Sequence, residues 1–220
     1  MSETPPFAAP MEIVFYRDLL CPWSYLAAKR LEPVIALFGA QVAMTSRPFP
    51  ARVSPGPPDP EARRLALRRL KRVAKEPGGE TLVPDLWAGD DPPDTGLVPL
   101  AAVEAARLQG PRQASALEAA LRSAAFERGL NVSRAGVIIE VAEGLRGVGL
   151  DPVRLASDLA GGGQLGEVVA HRERAEALGI RAVPSLLVDR RWIVAGARSS
   201  DAYLTLFTRH LVQCRGGPSH

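Results

Sequence analysis

The sequence predicts an α/β fold in which a strand, helix, strand unit and a later helix, strand, strand, helix unit share one sheet and are separated by a helical block. Three observations predict it. Short β-rich runs occur only near the two ends of the chain, at 12–16, 41–46, 180–188 and 191–196. The stretch between them is rich in alanine and leucine at helical spacing. Glycine and proline, 20 of each in 220 residues, mark the breaks between elements.

The elements follow in order. EIVFY, from Glu12 to Tyr16, is apolar and β-rich and reads as the first strand. Arg17 and Asp18 form a short polar hinge, and CPWSYLAAKRLEPVIALFG then reads as a helix. Leu31, Val34, Ile35 and Phe38 recur at helical spacing and Gly39 is placed to stop it, while Pro33 predicts a kink or a break. QVAMTS is a second strand, which completes a βαβ unit. RPFPARVSPGPPDP has six prolines in fourteen residues and leads out of the sheet as a linker.

From Pro60 to Leu159 the pattern is helix and loop. EARRLALRRLKRVAKE ends at Pro77-Gly78-Gly79, DLWAGDDPPDTG is irregular, and VPLAAVEAARLQ and RQASALEAALRSAAFERG are alanine-rich helices. Asn131 is placed to cap SRAGVIIEVAEGL. Asp151-Pro152 is a cap followed by proline at the first helical position, and Gly161 to Gly163 close that helix. QLGEVVAHRERAEALG is a further helix. IRAVPSLLV and RWIVAG are strands around the charged turn Asp189-Arg190-Arg191, and Ser199 or Ser200 caps the last helix, DAYLTLFTRHLVQC. Residues 1–10 read as a flexible tail, 11–58 and 164–214 as one discontinuous domain, and 59–163 as a helical insertion.

Composition narrows the function classes. The formal net charge of +3 is spread along the chain and gives no nucleic-acid footprint. MSETPPFAAP lacks a basic segment followed by an apolar one, and no apolar run approaches the ~20 residues of a membrane span. A cytoplasmic protein is expected. Two cysteines, Cys21 and Cys214, are too far apart to read as a disulfide framework and would stay reduced there. Two ligands, His210 and Cys214, make no structural zinc site, so no metal is expected.

The chemistry is concentrated in DLLCPWSY, residues 18–25. Cys21 stands where strand gives way to helix, facing backbone N–H groups without intrahelical acceptors and the positive end of the helix dipole. That placement predicts a lowered pKa and a nucleophile active near neutral pH. Pro22 suits the first helical position. Trp23 and Tyr25 either pack inward or line a groove beside the cysteine.

CPW followed after one residue by an aromatic resembles the active-site turn of the DsbA-like branch of the thioredoxin superfamily. GIRAVPSLLVDRRWIVAG, residues 179–196, resembles that superfamily's V-P hairpin, and the likeness covers roughly residues 11–214. It implies a thioredoxin-like fold with the helical domain inserted between its halves, a cis-proline at Pro184, and Val183 offering its backbone to a thiol substrate. Relatives of the FrnE type, and the kappa-class glutathione transferase and 2-hydroxychromene-2-carboxylate isomerase group, share the layout.

The departure is Ser24, which stands where a dithiol enzyme has its second cysteine and cannot resolve a mixed disulfide. Monothiol chemistry at Cys21 is therefore expected. Ser24 is expected to stabilise the thiolate, Pro22, Trp23, Val183 and Pro184 to bind substrate, and the partner to be a protein or small-molecule thiol or disulfide. No permanently bound cofactor is expected, with glutathione or another small thiol as co-substrate. A glutathione-dependent transferase or isomerase and a non-catalytic binding module are the alternatives. The seven Lys and Arg residues from Arg63 to Lys75 read as a solvated helix face, able to attract an acidic ligand if it borders the cleft.

Overall fold

The computed structural model describes residues 9–53 and 56–215, with the side chains of Cys214 and Arg215 outside the described residues. Residues 1–8 of the tail expected at 1–10 therefore lie outside them, as does the side chain of Cys214. In chain order the elements are β1 (Met11–Arg17), α1 (Pro22–Phe38), β2 (Val42–Pro48), α2 (Pro60–Val73), α3 (Asp85–Ala88) and α4 (Leu97–Arg107). They continue with α5 (Pro111–Phe126), α6 (Ala135–Glu143), α7 (Pro152–Ala160), α8 (Gly163–Ala177), β3 (Ser185–Val188), β4 (Trp192–Ala195) and α9 (Ser200–Arg215).

The four strands form one sheet in the order β2-β1-β3-β4, with β1 parallel to β2 and antiparallel to β3, and β3 antiparallel to β4. Side-chain alternation along each strand assigns the two faces. Met11, Ile13 and Phe15 of β1 join Leu186 and Val188 of β3 in a cluster with Ala27, Leu31 and Val34 of α1 and Tyr203, Phe207 and Leu211 of α9. Tyr16 and Leu187 point the other way, onto Ala175 of α8, Ile180 and Phe49. The inserted helices have their own core, which includes Leu100, Leu117, Leu121, Phe126, Ile138 and Leu155, and Tyr25 and Leu26 of α1 belong to it. Burying one such leucine is worth about 2 kcal/mol, so α1 fastens the insertion to the sheet layer through its own side chains.

Several local expectations change. α1 runs without interruption through Pro33, one turn from its end, so proline removes one hydrogen bond but does not split the helix. Asn131 does not cap α6, whose N-cap is Arg134. Its side chain accepts from Ser133 N–H at 3.0 Å and donates to the Asp91 carbonyl at 3.0 Å, an Asx turn upstream of the helix. The irregular stretch at Asp85 contains one helical turn, α3. β3 begins only at Ser185, because the preceding proline has no N–H for a ladder. Asp151 and Ser199 do cap α7 and α9, accepting from Val153 N–H at 2.9 Å and Ala202 N–H at 3.2 Å.

The polar hinge at Arg17 is the largest correction. Arg17 ends β1 and is 1% exposed, paired through Nε and Nη2 with both carboxylate oxygens of Glu118 on α5 at 2.8 and 2.7 Å. Ser46 Oγ donates to the same carboxylate at 2.6 Å. Burial works to raise the Glu118 pKa, but the Arg17 guanidinium and the hydrogen bonds overcome it and hold the group down to about 2. This buried pair ties the sheet to the inserted helices.

Candidate active site

The turn between β1 and α1 is built by backbone bonds around Asp18. Cys21 N–H donates to the Asp18 carbonyl at 3.2 Å, and the Cys21 carbonyl accepts from Ser24 N–H at 2.9 Å and Tyr25 N–H at 3.1 Å, opening α1. Cys21 is the N-cap residue in extended conformation, with Pro22 at the first helical position. The Asp18 carboxylate, in a residue 4% exposed, accepts from Leu20 N–H at 2.8 Å and from Ala51 N–H at 2.7 Å. It therefore clamps the turn to the segment that leaves β2. Gly96, just before α4, closes the other side: a Cβ there would lie 3.0 Å from Asp18 Oδ1.

Opposite the turn, the Val183–Pro184 peptide bond is cis. The Val183 carbonyl faces Cys21, whose thiol donates to it at 3.8 Å. Ser185 Oγ donates to the Ala182 carbonyl at 2.8 Å, and Gly196 N–H donates to the Pro184 carbonyl at 2.8 Å, holding the loop on both sides. The hairpin beyond it turns through Asp189 and Arg190, both left-handed. Asp189 N–H donates to the Glu12 carbonyl at 2.8 Å, and its carboxylate accepts from Glu12 N–H at 2.8 Å, which fixes the hairpin to β1.

Cys21, Pro22 and Trp23 border a cleft of about 560 Å³, together with Ala182 and Val183. Its far wall is α2, which presents Ala62, Leu65, Ala66 and Arg69 at helical spacing. Trp87 of α3 also lines it. α3 is held in place by Arg63, which donates from Nε to the Trp87 carbonyl at 2.6 Å and from Nη2 to the carbonyls of Ala88 at 2.7 Å and Gly89 at 2.6 Å, satisfying the helix C-terminus. The solvated basic face expected for this helix thus describes Arg64, Arg68, Lys71, Arg72 and Lys75. Arg63 is half-buried under α3, and Arg69, though exposed, borders the cleft.

The electrostatics of Cys21 reverse the expectation. Burial of the sulfur pushes its pKa above the ordinary cysteine value, and the Asp18 charge adds to that; the Ser24 N–H and hydroxyl and the Trp23 N–H act in the opposite direction without prevailing. The helix end supplies donors, as the sequence suggested, yet desolvation wins. Asp18 is itself shifted up, chiefly by burial, against the Leu20 and Ala51 N–H groups and the charges of Arg17 and Arg172.

The predicted residues divide into two sets. Cys21, Pro22, Trp23 and Val183 meet at the cleft, whereas Ser24 is buried behind the sulfur, accepting from Asp18 N–H at 3.4 Å, and Pro184 is buried behind Val183. Tyr25 turns away from the groove, packs on Phe126 at 5.4 Å and donates to Glu127 at 2.7 Å. Sequence reasoning missed Asp18, Trp87, Arg52, Arg172 and Arg181, all of which line the cleft. Only Asp18 carried a signal, an acidic residue three positions before the cysteine where its carboxylate can reach turn N–H groups. Among the described residues no group of three or more His, Cys, Asp or Glu side chains is placed to hold a metal.

Residues 12–207 match the family described as DSBA-like thioredoxin domain. The chain belongs to that family. Its fold is accordingly the thioredoxin-like one with an inserted helical domain. Among solved structures it is similar to the cytosolic disulfide reductase DsbM from Pseudomonas aeruginosa, at 19% identity and TM-score 0.74 over 92% of this chain and 99% of the other. The same reductase solved with GSH matches at 18% identity and TM-score 0.67, over 91% and 98%. A 2-hydroxychromene-2-carboxylate isomerase matches at 18% identity and TM-score 0.62, over 93% and 96%. No curated protein sequence matches the chain. Among the described residues no helix is long and apolar enough to cross a membrane.

Proposed function

We propose that the protein is a thiol–disulfide oxidoreductase that works through the single thiol of Cys21. The observation that carries this reading is the Cys21 thiol set 3.8 Å from the Val183 carbonyl at the edge of an open cleft. In the forward step the Cys21 thiolate attacks one sulfur of a disulfide, that S–S bond breaks as a new one forms to Cys21, and the other half leaves as a thiolate and takes a proton. An external thiol then attacks the mixed disulfide and regenerates Cys21. Glutathione or another small thiol serves as co-substrate, with no permanently bound cofactor. This cycle suits a reducing, cytoplasmic setting.

Each residue has a part in this reading. Ser24 cannot resolve the mixed disulfide, but its hydroxyl and N–H stabilise the thiolate once formed. Trp23 and Pro22 form the wall beside the sulfur, while Val183, set by Pro184, offers its main chain to the substrate. In a Cys214→Ala background, oxidised glutathione should add one glutathione to Cys21, visible by intact mass, and Cys21→Ser should add none. Absence of an adduct from neutral to alkaline pH would overturn the proposal.

The raised pKa favours a second reading, a glutathione-dependent transferase or isomerase. A Cys21 that stays protonated is a hydrogen-bond donor, suited to orient a bound thiolate rather than to attack a disulfide. Turnover of a test electrophile or isomerisable substrate that requires glutathione and survives Cys21→Ser would select it. A non-catalytic binding module would bind its ligand with Cys21→Ser unchanged and turn over nothing.

A further inference from the structure

The cleft contains donors that lack acceptors. Arg52, Arg69 and Arg181 line it and come from three separate segments: the loop after β2, α2, and the loop before β3. Among the described residues none of the three forms an ion pair. Arg52 donates from Nη2 to the carbonyls of Gly56 and Pro57, Arg181 donates to the Glu176 carbonyl, and the Arg69 side chain makes no hydrogen bond among the described residues. The fourth arginine there, Arg172, is paired with Glu176 at 2.9 Å and also donates to the Pro50 carbonyl. The cleft's acidic side chain, Asp18, is buried, with both oxygens already accepting backbone N–H groups.

A second observation is independent of charge. Trp87 lines the same cleft and is 8% exposed, and among the described residues its indole N–H has no partner; Arg52 Nη1 is likewise buried without one among them. Guanidinium and indole are donors only, with no acceptor to offer. A buried donor left unpaired costs about 1–3 kcal/mol, so the wall that carries Trp87 and Arg52 is rich in donors and poor in acceptors.

We infer that the cleft selects a carboxylate-bearing disulfide or thiol, and that Arg69 is the specificity-determining residue for its charge. The inference rests on the reading of Cys21 as the reacting thiol. A guanidinium engages a carboxylate in a two-point fork, and Arg69, which has no competing partner, is free to do so. Arg52 and Arg181 keep donors available beyond their carbonyl bonds and extend the same field across the opening. Substrates of equal length and opposite charge are therefore separated before any bond is made or broken.

Dithiodipropionate and cystamine are disulfides of equal length, one dianionic and one dicationic. Their rates of mixed-disulfide formation at Cys21, read by intact mass in a Cys214→Ala protein at low salt, are each divided by the rate for a free cysteine peptide. The ratio should favour the anion by about tenfold or more and fall steeply as salt is raised, since the steering field is screened. Arg69→Glu should lower that ratio by about tenfold or more, while Arg68→Glu, an equal charge change on the face of α2 away from the cleft, leaves it in place. The salt dependence of the unmodified protein tests the same point without a variant. Equal normalised rates for the two disulfides would overturn the inference and leave the thiol chemistry standing. Adducts with neither would overturn both.

Discussion

The backbone N–H of Cys21 donates to the carbonyl of Asp18 at 3.2 Å, so the nucleophile and the carboxylate that opposes its ionisation are parts of one rigid turn. Asp18 acts on the site twice, as an anchor for Leu20 and Ala51 and as a negative charge beside the sulfur. Replacing it with Asn removes the charge and turns one acceptor into a donor. Alkylation of Cys21 by iodoacetamide near neutral pH should become several-fold faster in Asp18→Asn. The same variant should lose about 1–3 kcal/mol in a denaturant titration, because one backbone N–H loses its acceptor. An unchanged pH profile would remove Asp18 from any electrostatic role.

In the unmodified protein the sign is set by burial. A thiol whose pKa is raised carries less thiolate at neutral pH, so alkylation of Cys21 should reach half its maximal rate above about 8.5, the pH at which an ordinary cysteine is half ionised. A midpoint below that pH in the Cys214→Ala protein would show that the helix N-terminus prevails.

Ser24→Cys places a second thiol one helical turn from the first. The variant should form an internal disulfide between Cys21 and the introduced thiol when treated with oxidised glutathione, and the glutathione adduct should cease to accumulate in intact-mass spectra. Continued accumulation would mean that the turn holds the two positions too far apart to bond.

Arg17 and Glu118 form a buried bidentate pair, so removing one partner strands the other. Glu118→Gln or Arg17→Met should destabilise the fold by about 3–5 kcal/mol in urea. The pair also sets an acid limit. The Glu118 pKa is lowered from 4.5 to about 2 on folding, so its contribution is fully present above the unfolded value and is lost as pH falls through the folded one. That contribution is about 3 kcal/mol. Urea midpoints should fall between pH 4.5 and pH 2, and Glu118→Gln should flatten that part of the curve.

Arg63 holds the C-terminal carbonyls of α3 against α2, with Trp87 between that contact and the cleft. Arg63→Ala should cost about 1.5–3 kcal/mol, as expected for hydrogen bonds from a charged group. It should also shift the emission of Trp87, assigned with a Trp87→Phe control.

What the sequence made legible was local. The β-rich run at Glu12, the helix start at Pro22 and the caps at Asp151 and Ser199 depend on neighbours within one turn, and they stand in the structure as expected. Arg17 looked like a hinge because its partner is 101 positions away. Arg52 and Arg181 gave no signal because their segments meet α2 only after the fold is made, and Arg69 was legible only as one of a basic run that would matter if it bordered the cleft. The pKa of Cys21 was misjudged for a related reason. A helix start is visible in the order of residues, but the depth at which it lies depends on α2, α3 and the loop at Val183 together. Asn131 failed as a cap because its side chain found a nearer N–H in its own turn.

Gly96 stands between the inserted helices and the Asp18 carboxylate, with room for hydrogen and only a crowded fit for a methyl group. Its backbone adopts φ −81°, a value open to any residue, so the demand for glycine comes from the neighbour rather than from the turn. The helical block is therefore not an interchangeable attachment to the sheet. Any other block grafted at this point would have to bring a residue without a side chain to the same spot, or make the carboxylate that anchors the reactive turn give way by a few tenths of an ångström.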